Sequence, residues 1–96
     1  MTTLSFAPEA RRDLAEITRY IGSDDPVRAA SFVAGLEARA VQAAERPHTF
    51  AARDDLSPGL RAARHGSYIL LFRELKNEVR IVRIIHSARD LRAIFR

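Results

Sequence analysis

The sequence predicts an α+β domain in which a helical hairpin packs on one face of a mainly antiparallel sheet. Two apolar patterns with helical spacing occupy the N-terminal half, and strand-like runs occupy the C-terminal half. Two of these runs are joined by a two-residue polar turn, which is typical of a β-hairpin. We therefore expect a three- to four-stranded sheet, the element order β-α-α-β-β-β, and a short C-terminal helix.

Length and composition indicate a single small globular domain spanning residues 1–96. Hydrophobic residues make up 47% of the chain and charged residues 29%, which is typical of a folded, soluble protein. The absence of cysteine excludes disulfides and thiolate metal sites, and it suits a reducing cytoplasm. No run approaches the roughly 18 apolar residues of a membrane span, and no signal peptide is recognisable. We expect a cytoplasmic protein.

The first strand and the first helix are expected within residues 3–22. Residues 3–6 alternate between polar and apolar side chains, which predicts a short strand. Pro8 suits the first helical turn, where a missing N–H costs nothing, and Gly22 is typical of a helix end. Between them lies one apolar helical face, with spacings of four, three and four residues: Ala10, Leu14, Ile17 and Ile21.

A second helix is predicted to begin after Asp25 and to stop before Pro47. Asp25 is an N-cap candidate, and Pro26 suits the first helical position. The small side chains of this helix would let two antiparallel helices approach closely. Its apolar stripe consists of Ala29, Phe32 or Val33, Leu36, Ala40 and Ala43.

The rest of the chain predicts a loop followed by a meander of strands. Pro, Asp, Ser and Gly mark residues 47–59 as irregular. Residues 60–66 form a weak strand pattern and residues 67–75 a strong one. Lys76 and Asn77 are a turn, after which residues 78–86 return as the last strand.

The last two strands are apolar on both faces, so both faces need a cover. The helical hairpin is one cover. The other is the C-terminal segment, residues 88–95, or another chain, or a partner protein. Within the last strand, Arg83 is in phase with Val79, Ile81 and Ile85, so it must be paired if those residues face the core. Glu74 across the hairpin is one candidate partner.

Positive charge is concentrated in the C-terminal half. Residues 1–50 contain six arginines and seven acidic residues, a net charge of −1, whereas residues 51–96 contain ten basic and five acidic residues, a net charge of +5. Lys76 is the single lysine, so arginine supplies nearly all of the positive charge. Codon bias would also explain this preference for arginine over lysine. Such polarity suits an acidic partner, either nucleic acid or an acidic protein segment.

Three segments together resemble one protein family. They are PEARRDLAEI at residues 8–17, PGLR at residues 58–61, and RIIHSARD at residues 83–90. In this order and at this spacing they resemble the ParE branch of the RelE/ParE toxins, the toxin halves of type II toxin–antitoxin modules. The resemblance extends from Phe6 to about Leu91.

The resemblance implies a toxin that inhibits DNA gyrase by binding it. It implies neutralisation by a cognate ParD-like antitoxin with an acidic, amphipathic C-terminal tail that folds on docking. The toxin itself would need no cofactor and no membrane, and would not bind DNA sequence-specifically. Two alternatives remain open: a RelE-like ribosome-dependent mRNA endonuclease, and a non-toxic binding module that acts only in autoregulation of its operon.

The nuclease alternative needs an acid, a base and cations around the reacting phosphate. Its candidates here are Arg61, Arg83 and His86. No tyrosine follows Tyr68, although members of the nuclease branch often carry one near the C-terminus. We therefore expect no catalytic residues, and three scattered histidines without cysteine predict no metal site.

Binding residues are expected among the arginines and among aromatic residues near loops. A solvated basic surface is the alternative for the arginines, and capping or packing is the alternative for His86. Aromatic side chains near loops can line a groove for a docking helix. Target contacts are expected at Arg61, Arg64, Arg73, Arg83, His86 and Arg89. Antitoxin contacts are expected at Tyr20, Phe50, Leu60, Tyr68, Arg73 and Arg80.

Overall fold

The computed structural model describes residues 2–95, which form three α-helices and a five-stranded sheet. These elements confirm the α+β class predicted from the sequence. The helices are α1 (Pro8–Gly22), α2 (Pro26–Glu45) and α3 (Leu91–Ile94). The strands are β1 (Thr3–Phe6), β2 (Ala51–Ala52), β3 (Leu60–His65), β4 (Tyr68–Leu75) and β5 (Glu78–His86).

The strands lie in the order β1-β5-β4-β3-β2, with β1 parallel to β5 and the other pairs antiparallel. The prediction of three to four strands is wrong, because Ala51–Ala52 pairs with Arg61 and Ala62 at the sheet edge. A two-residue strand of alanines has no alternation that a sequence pattern could reveal. A single turn of 3₁₀ helix, Pro47–Thr49, precedes β2.

Both long helices begin where the sequence predicts. The Asp25 side chain accepts a hydrogen bond from the Arg28 backbone N–H at 3.0 Å and so caps α2. Pro26 follows at the first helical position. The buried alanines of both helices, among them Ala10 and Ala40, let the hairpin lie close to the sheet.

The β4–β5 hairpin contains a bulge that changes which side chains face the helices. Leu71 lies opposite Arg83, but Phe72 lies opposite Ile81, so Val82 is the extra residue in β5. The helix-facing positions of β5 are therefore Ile81 and then Ile84, three positions later. The predicted alternation through Arg83 is wrong for this reason, because a bulge reverses the phase of every later side chain.

Apolar side chains pack on both faces of the sheet. The larger cluster, between the helices and the sheet, includes Phe72 and Leu36. The second cluster lies on the opposite face and buries Leu56, Leu60, Leu71 and Ile85. Its cover consists of half-buried side chains of the C-terminal segment: Leu91, Ile94 and Phe95. The chain therefore supplies part of its own second cover.

The C-terminal segment is held in place by polar contacts. The Asp90 carboxylate accepts hydrogen bonds from the backbone N–H groups of Arg92 and Ala93, at 3.1 and 3.4 Å, and caps α3. The Arg92 guanidinium lies 3.4 Å from Asp55, which belongs to the loop before β3. Within residues 2–95, no helix combines the length and apolar character that crossing a membrane requires.

Candidate partner-binding site

An ion pair between α1 and β5 fixes the position of Arg83. Arg83 Nε lies 2.8 Å from Asp13 Oδ2, and a second guanidinium nitrogen lies 3.1 Å from Oδ1. The Ile84 backbone N–H also donates to Asp13 Oδ2, at 2.9 Å. Because β1 ends at Phe6, opposite Ile81, this part of β5 pairs with β4 on one side but has no strand on its other side, where the Asp13 carboxylate accepts the Ile84 N–H instead. The hydrogen bonds to Asp13 raise the pKa of Arg83.

The predicted pairing of Arg83 is confirmed, but the suggested partner, Glu74, is wrong. Glu74 lies opposite Val79 in the hairpin, and its carboxylate is 3.4 Å from His48 Nε2. Glu74 lies three residues along β4 from Leu71, the residue opposite Arg83, which is about 10 Å along the strand direction.

The three residues of the nuclease alternative are not brought together. Arg61 Nη1 donates to the Phe50 carbonyl at 2.9 Å, and Arg83 is held by Asp13. Arg61 lies opposite Phe72 of β4, whereas His86 lies opposite Tyr68. Four residues of strand separate those two positions, which is about 13 Å along the strand direction. Among residues 2–95, no three His, Asp or Glu side chains group as metal ligands do.

A pocket of about 440 Å³ opens where the turn of the helical hairpin meets the β3–β4 turn. We call it the aromatic pocket. Its position follows from the fold, since the end of α1, the start of α2 and the ends of β4 and β5 all meet there. It is lined by Tyr20, Ile21, Arg28, Phe32, Gly66, Ser67, Tyr68 and His86.

One wall of this pocket belongs to a chain of four contacting rings. His65 and Phe32 have centroids 5.2 Å apart, Phe32 and Tyr68 5.6 Å, and Tyr68 and His86 5.1 Å. The last two contacts are edge-to-face, the geometry that aromatic quadrupoles favour. Each ring limits the movement of the next, so the wall is preformed.

Two glycines allow these rings to pack closely. Gly66 has φ +57, and a Cβ there would lie 3.3 Å from Phe32 Cε1. A Cβ on Gly35 of α2 would lie 2.6 Å from His65 Nε2, so the His65 ring would have to move. The ring wall therefore depends on both positions lacking a side chain.

Charge and exposure distinguish the rim of the aromatic pocket from its wall. Of the residues that the structure describes, Arg28 is the one charged residue that lines it, and Tyr20 at the rim is 76% exposed. A smaller neighbouring cavity shares Tyr20, Tyr68 and His86 and adds Arg89. His86 Nδ1 accepts a hydrogen bond from the Ala88 N–H at 3.1 Å, so His86 both caps the backbone and packs against Tyr68.

A second groove, of about 520 Å³, lies on the face of the sheet opposite the helices. We call it the basic groove. Arg73 of β4 and Arg80 of β5 stand directly opposite each other in the hairpin, and both line it. The other lining residues are Ser5, Phe6, Ala7, Pro8, Glu9, Leu75, Glu78 and Val82.

The two arginines of the basic groove have different partners. Arg73 donates to the Pro58 carbonyl and to Ser57 Oγ, each at 2.6 Å, so its acceptors are neutral. Arg80 Nε lies 3.1 Å from the Glu78 carboxylate. The hydroxyl of Ser5 also donates to Glu78, and this hydrogen bond is the main reason that the pKa of Glu78 is lowered. Arg73 therefore has no carboxylate partner among the described residues, although it directly faces a second cation, Arg80.

The remaining predicted residues are dispersed. Leu60 is fully buried in the second cluster, so a partner cannot touch it in this conformation. Phe50 is half-buried, with its ring against Phe72 and the Arg39 guanidinium 4.8 Å from its centroid. Arg64 and Arg89 are exposed.

The structure therefore assembles two groups from the predicted residues. Tyr20, Tyr68 and His86 meet at the aromatic pocket, and Arg73 and Arg80 meet in the basic groove. Sequence reasoning missed Arg28 as part of a site and assigned Phe32 only to the core. The signal for Phe32 was present, since it lies in the helical stripe one turn after Arg28, but its distance from Tyr68 depends on the tertiary fold.

A profile described as the ParE toxin of the type II toxin–antitoxin system parDE matches residues 4–91. The chain belongs to this family. It is a ParE-type toxin of a type II toxin–antitoxin system, as the resemblance of its three segments predicted. No curated protein matches the sequence.

Solved structures support the fold of this ParE-type toxin. A chain of the chromosomal ParDE TA system from P. aeruginosa has a TM-score of 0.77 at 22% identity, covering 90% of this chain and 96% of the other. A chain of the toxin–antitoxin complex RelBE2 from Mycobacterium tuberculosis has a TM-score of 0.57 at 28% identity, covering 88% and 96%. ParE and RelE toxins thus share this α+β arrangement.

Proposed function

We propose that this ParE-type toxin inhibits DNA gyrase by stoichiometric binding, and that a ParD-like antitoxin with an acidic tail neutralises it through the basic groove. The observation that carries the antitoxin part of the proposal is the cross-strand pair of Arg73 and Arg80. Like charges directly opposite each other in a sheet are destabilising, so the pair calls for an anionic partner.

Charge distribution and the relatives support an antitoxin as that partner. The C-terminal half carries a net charge of +5, with ten basic and five acidic residues, which attracts an acidic segment at long range. The two solved structures described above come from toxin–antitoxin systems. An acidic tail would place carboxylates against Arg73, whose present acceptors are neutral, and would cover the exposed part of Leu75.

Support for binding rather than RNA cleavage comes from the arginines that a nuclease would use. Arg83 is bound in two places by Asp13, and Arg61 by a backbone carbonyl. Each of these contacts stabilises the fold, and releasing either guanidinium towards a phosphate would break it. Inhibition by occupancy requires no such release.

The target is tested with purified gyrase and with cells. Wild-type toxin is expected to inhibit DNA supercoiling at near-equimolar ratios and to cause growth arrest with a DNA-damage response. Arrest of translation, with mRNA cut at ribosomes, would instead establish the nuclease alternative. Expression without growth arrest would establish a module that acts only in autoregulation.

The antitoxin surface is tested with the protein encoded beside the toxin. The double variant R73A/R80A is expected to bind it at least about tenfold more weakly, because two charge-assisted contacts are lost. The variant R11A/R12A, which removes two exposed arginines from α1, is the matched control and should bind normally. Equal affinities of both variants would place the antitoxin elsewhere.

A further inference from the structure

Beyond the basic groove, we propose a second recognition site: the aromatic pocket binds an aromatic side chain of an acidic polypeptide, with a neighbouring carboxylate on Arg28. The pocket lies at the hairpin turn, whereas Arg73 and Arg80 of the basic groove lie on the opposite face of the sheet. The two sites can therefore be occupied independently, or by two parts of one extended partner.

The walls of the pocket determine the kind of group it accepts. Phe32 and Tyr68 present ring surfaces, and Ile21 adds an aliphatic side chain. An inserted ring can contact them edge-to-face at the centroid distances of 5.1 to 5.6 Å already present among its neighbours. The volume of about 440 Å³ accepts a large aromatic side chain together with adjoining backbone.

The exposed rim indicates a polypeptide interface. Tyr20 is 76% exposed although it borders a pocket that Ile21 and Phe32 also line, so its ring is available to close over an inserted side chain. Tyrosine is enriched among residues that dominate protein interfaces, since it offers a large area at a low cost in conformational entropy. Because the ring chain from His65 to His86 is already packed, binding would require little reorganisation.

Charge selects an acidic polypeptide rather than nucleic acid. Among residues 2–95, Arg28 alone supplies positive charge to the lining, whereas a nucleic acid strand needs a series of cations along its backbone. In the neighbouring cavity Glu16 offsets the charge of Arg89, and Asp13 is paired with Arg83, so no series of free cations continues from Arg28 among the described residues. A polypeptide can place one carboxylate at Arg28 and neutral residues beside those acids.

The experiment is an NMR titration of the full chain with two blocked pentapeptides. One has a central tryptophan flanked by acidic residues, and the other has alanine at its centre. The tryptophan peptide is expected to shift the amide signals of Ile21, Gly66, Ser67 and Tyr68 saturably. The alanine peptide should bind at least about threefold more weakly, because the ring contacts are absent.

Two surface variants confirm the location without disturbing the core. Tyr20→Ala and Arg28→Gln should each weaken binding of the tryptophan peptide by at least about threefold. Arg12→Gln, an exposed arginine on α1 outside both sites, should leave binding unchanged. Equal binding of both peptides, shifts away from the pocket, or no saturable shift would overturn the proposal.

A third probe, adenosine monophosphate, separates polypeptide from nucleotide recognition. If it shifts the same amide signals more strongly than the tryptophan peptide does, the site binds nucleotides and the proposal is wrong. The growth and supercoiling assays test the proposed function separately. Gyrase inhibition without peptide binding would reject the aromatic site alone, and peptide binding without growth arrest would reject the toxin mechanism alone.

Discussion

Asp13 supports two groups that are distant from it in sequence. Its carboxylate pairs with the Arg83 guanidinium and accepts the Ile84 N–H, 70 and 71 residues further along the chain. Asp13 is only 9% exposed, so removing it leaves a partly buried cation and an unpaired backbone donor.

We expect Asp13→Ala to destabilise the fold by about 2–4 kcal/mol, because both losses act on partly buried groups. Urea denaturation of wild type and variant measures the difference. Glu37→Ala on α2 is the control, since Glu37 is exposed and should change stability by no more than about 0.5 kcal/mol. Similar effects of both substitutions would mean that the ion pair adds no net stability.

At the scale of elements, local sequence patterns identified the regular segments and missed the irregular ones. The starts of α1 and α2 follow from proline and capping chemistry, and β5 follows from its β-branched residues. The bulge at Val82 was not recognisable, because it depends on how β5 pairs with β4. Ala51–Ala52 became a strand only by pairing with β3.

The contact between α2 and β3 depends on Gly35. We expect Gly35→Ala to destabilise the protein by about 1–3 kcal/mol, because the new methyl would displace His65 and disturb its contact with Phe32. This outweighs the gain in helix propensity of about 0.5–1 kcal/mol. Thermal unfolding measures the effect.

The matched control for that substitution is Gly22→Ala. A Cβ at Gly22 would lie 3.6 Å from Ala29 Cβ, an ordinary contact, so this variant should be neutral or slightly stabilised. If Gly22→Ala destabilised the fold as much as Gly35→Ala, steric crowding at His65 would not be the cause.

At the scale of the whole molecule, a sheet with two apolar faces is covered unequally. The helical hairpin covers one face, whereas the other relies on Leu56 and a four-residue helix at one end and is open at the basic groove. This asymmetry leaves the arginine pair of Arg73 and Arg80 accessible in the basic groove.

We expect Ile94→Asp to destabilise the fold by about 1–3 kcal/mol and to increase binding of a hydrophobic dye, because a carboxylate would enter the second apolar cluster. Ala93→Asp is the control on the same turn, since Ala93 is exposed. Denaturation and dye fluorescence measure both effects. An unchanged Ile94→Asp variant would mean that α3 is not a structural cover.

By itself, the sequence determined the class of fold, the main helices and strands, the basic character of the C-terminal half, and the resemblance to ParE toxins. These properties can be inferred from the spacing and composition of residues along the chain, without knowledge of tertiary contacts. Only the tertiary structure decided that Arg83 pairs with Asp13, that Tyr20, Phe32, Tyr68 and His86 surround one pocket, and that the chain partly covers its own second face. Such contacts join residues distant in sequence, and their geometry depends on strand register and helix packing rather than on any local pattern.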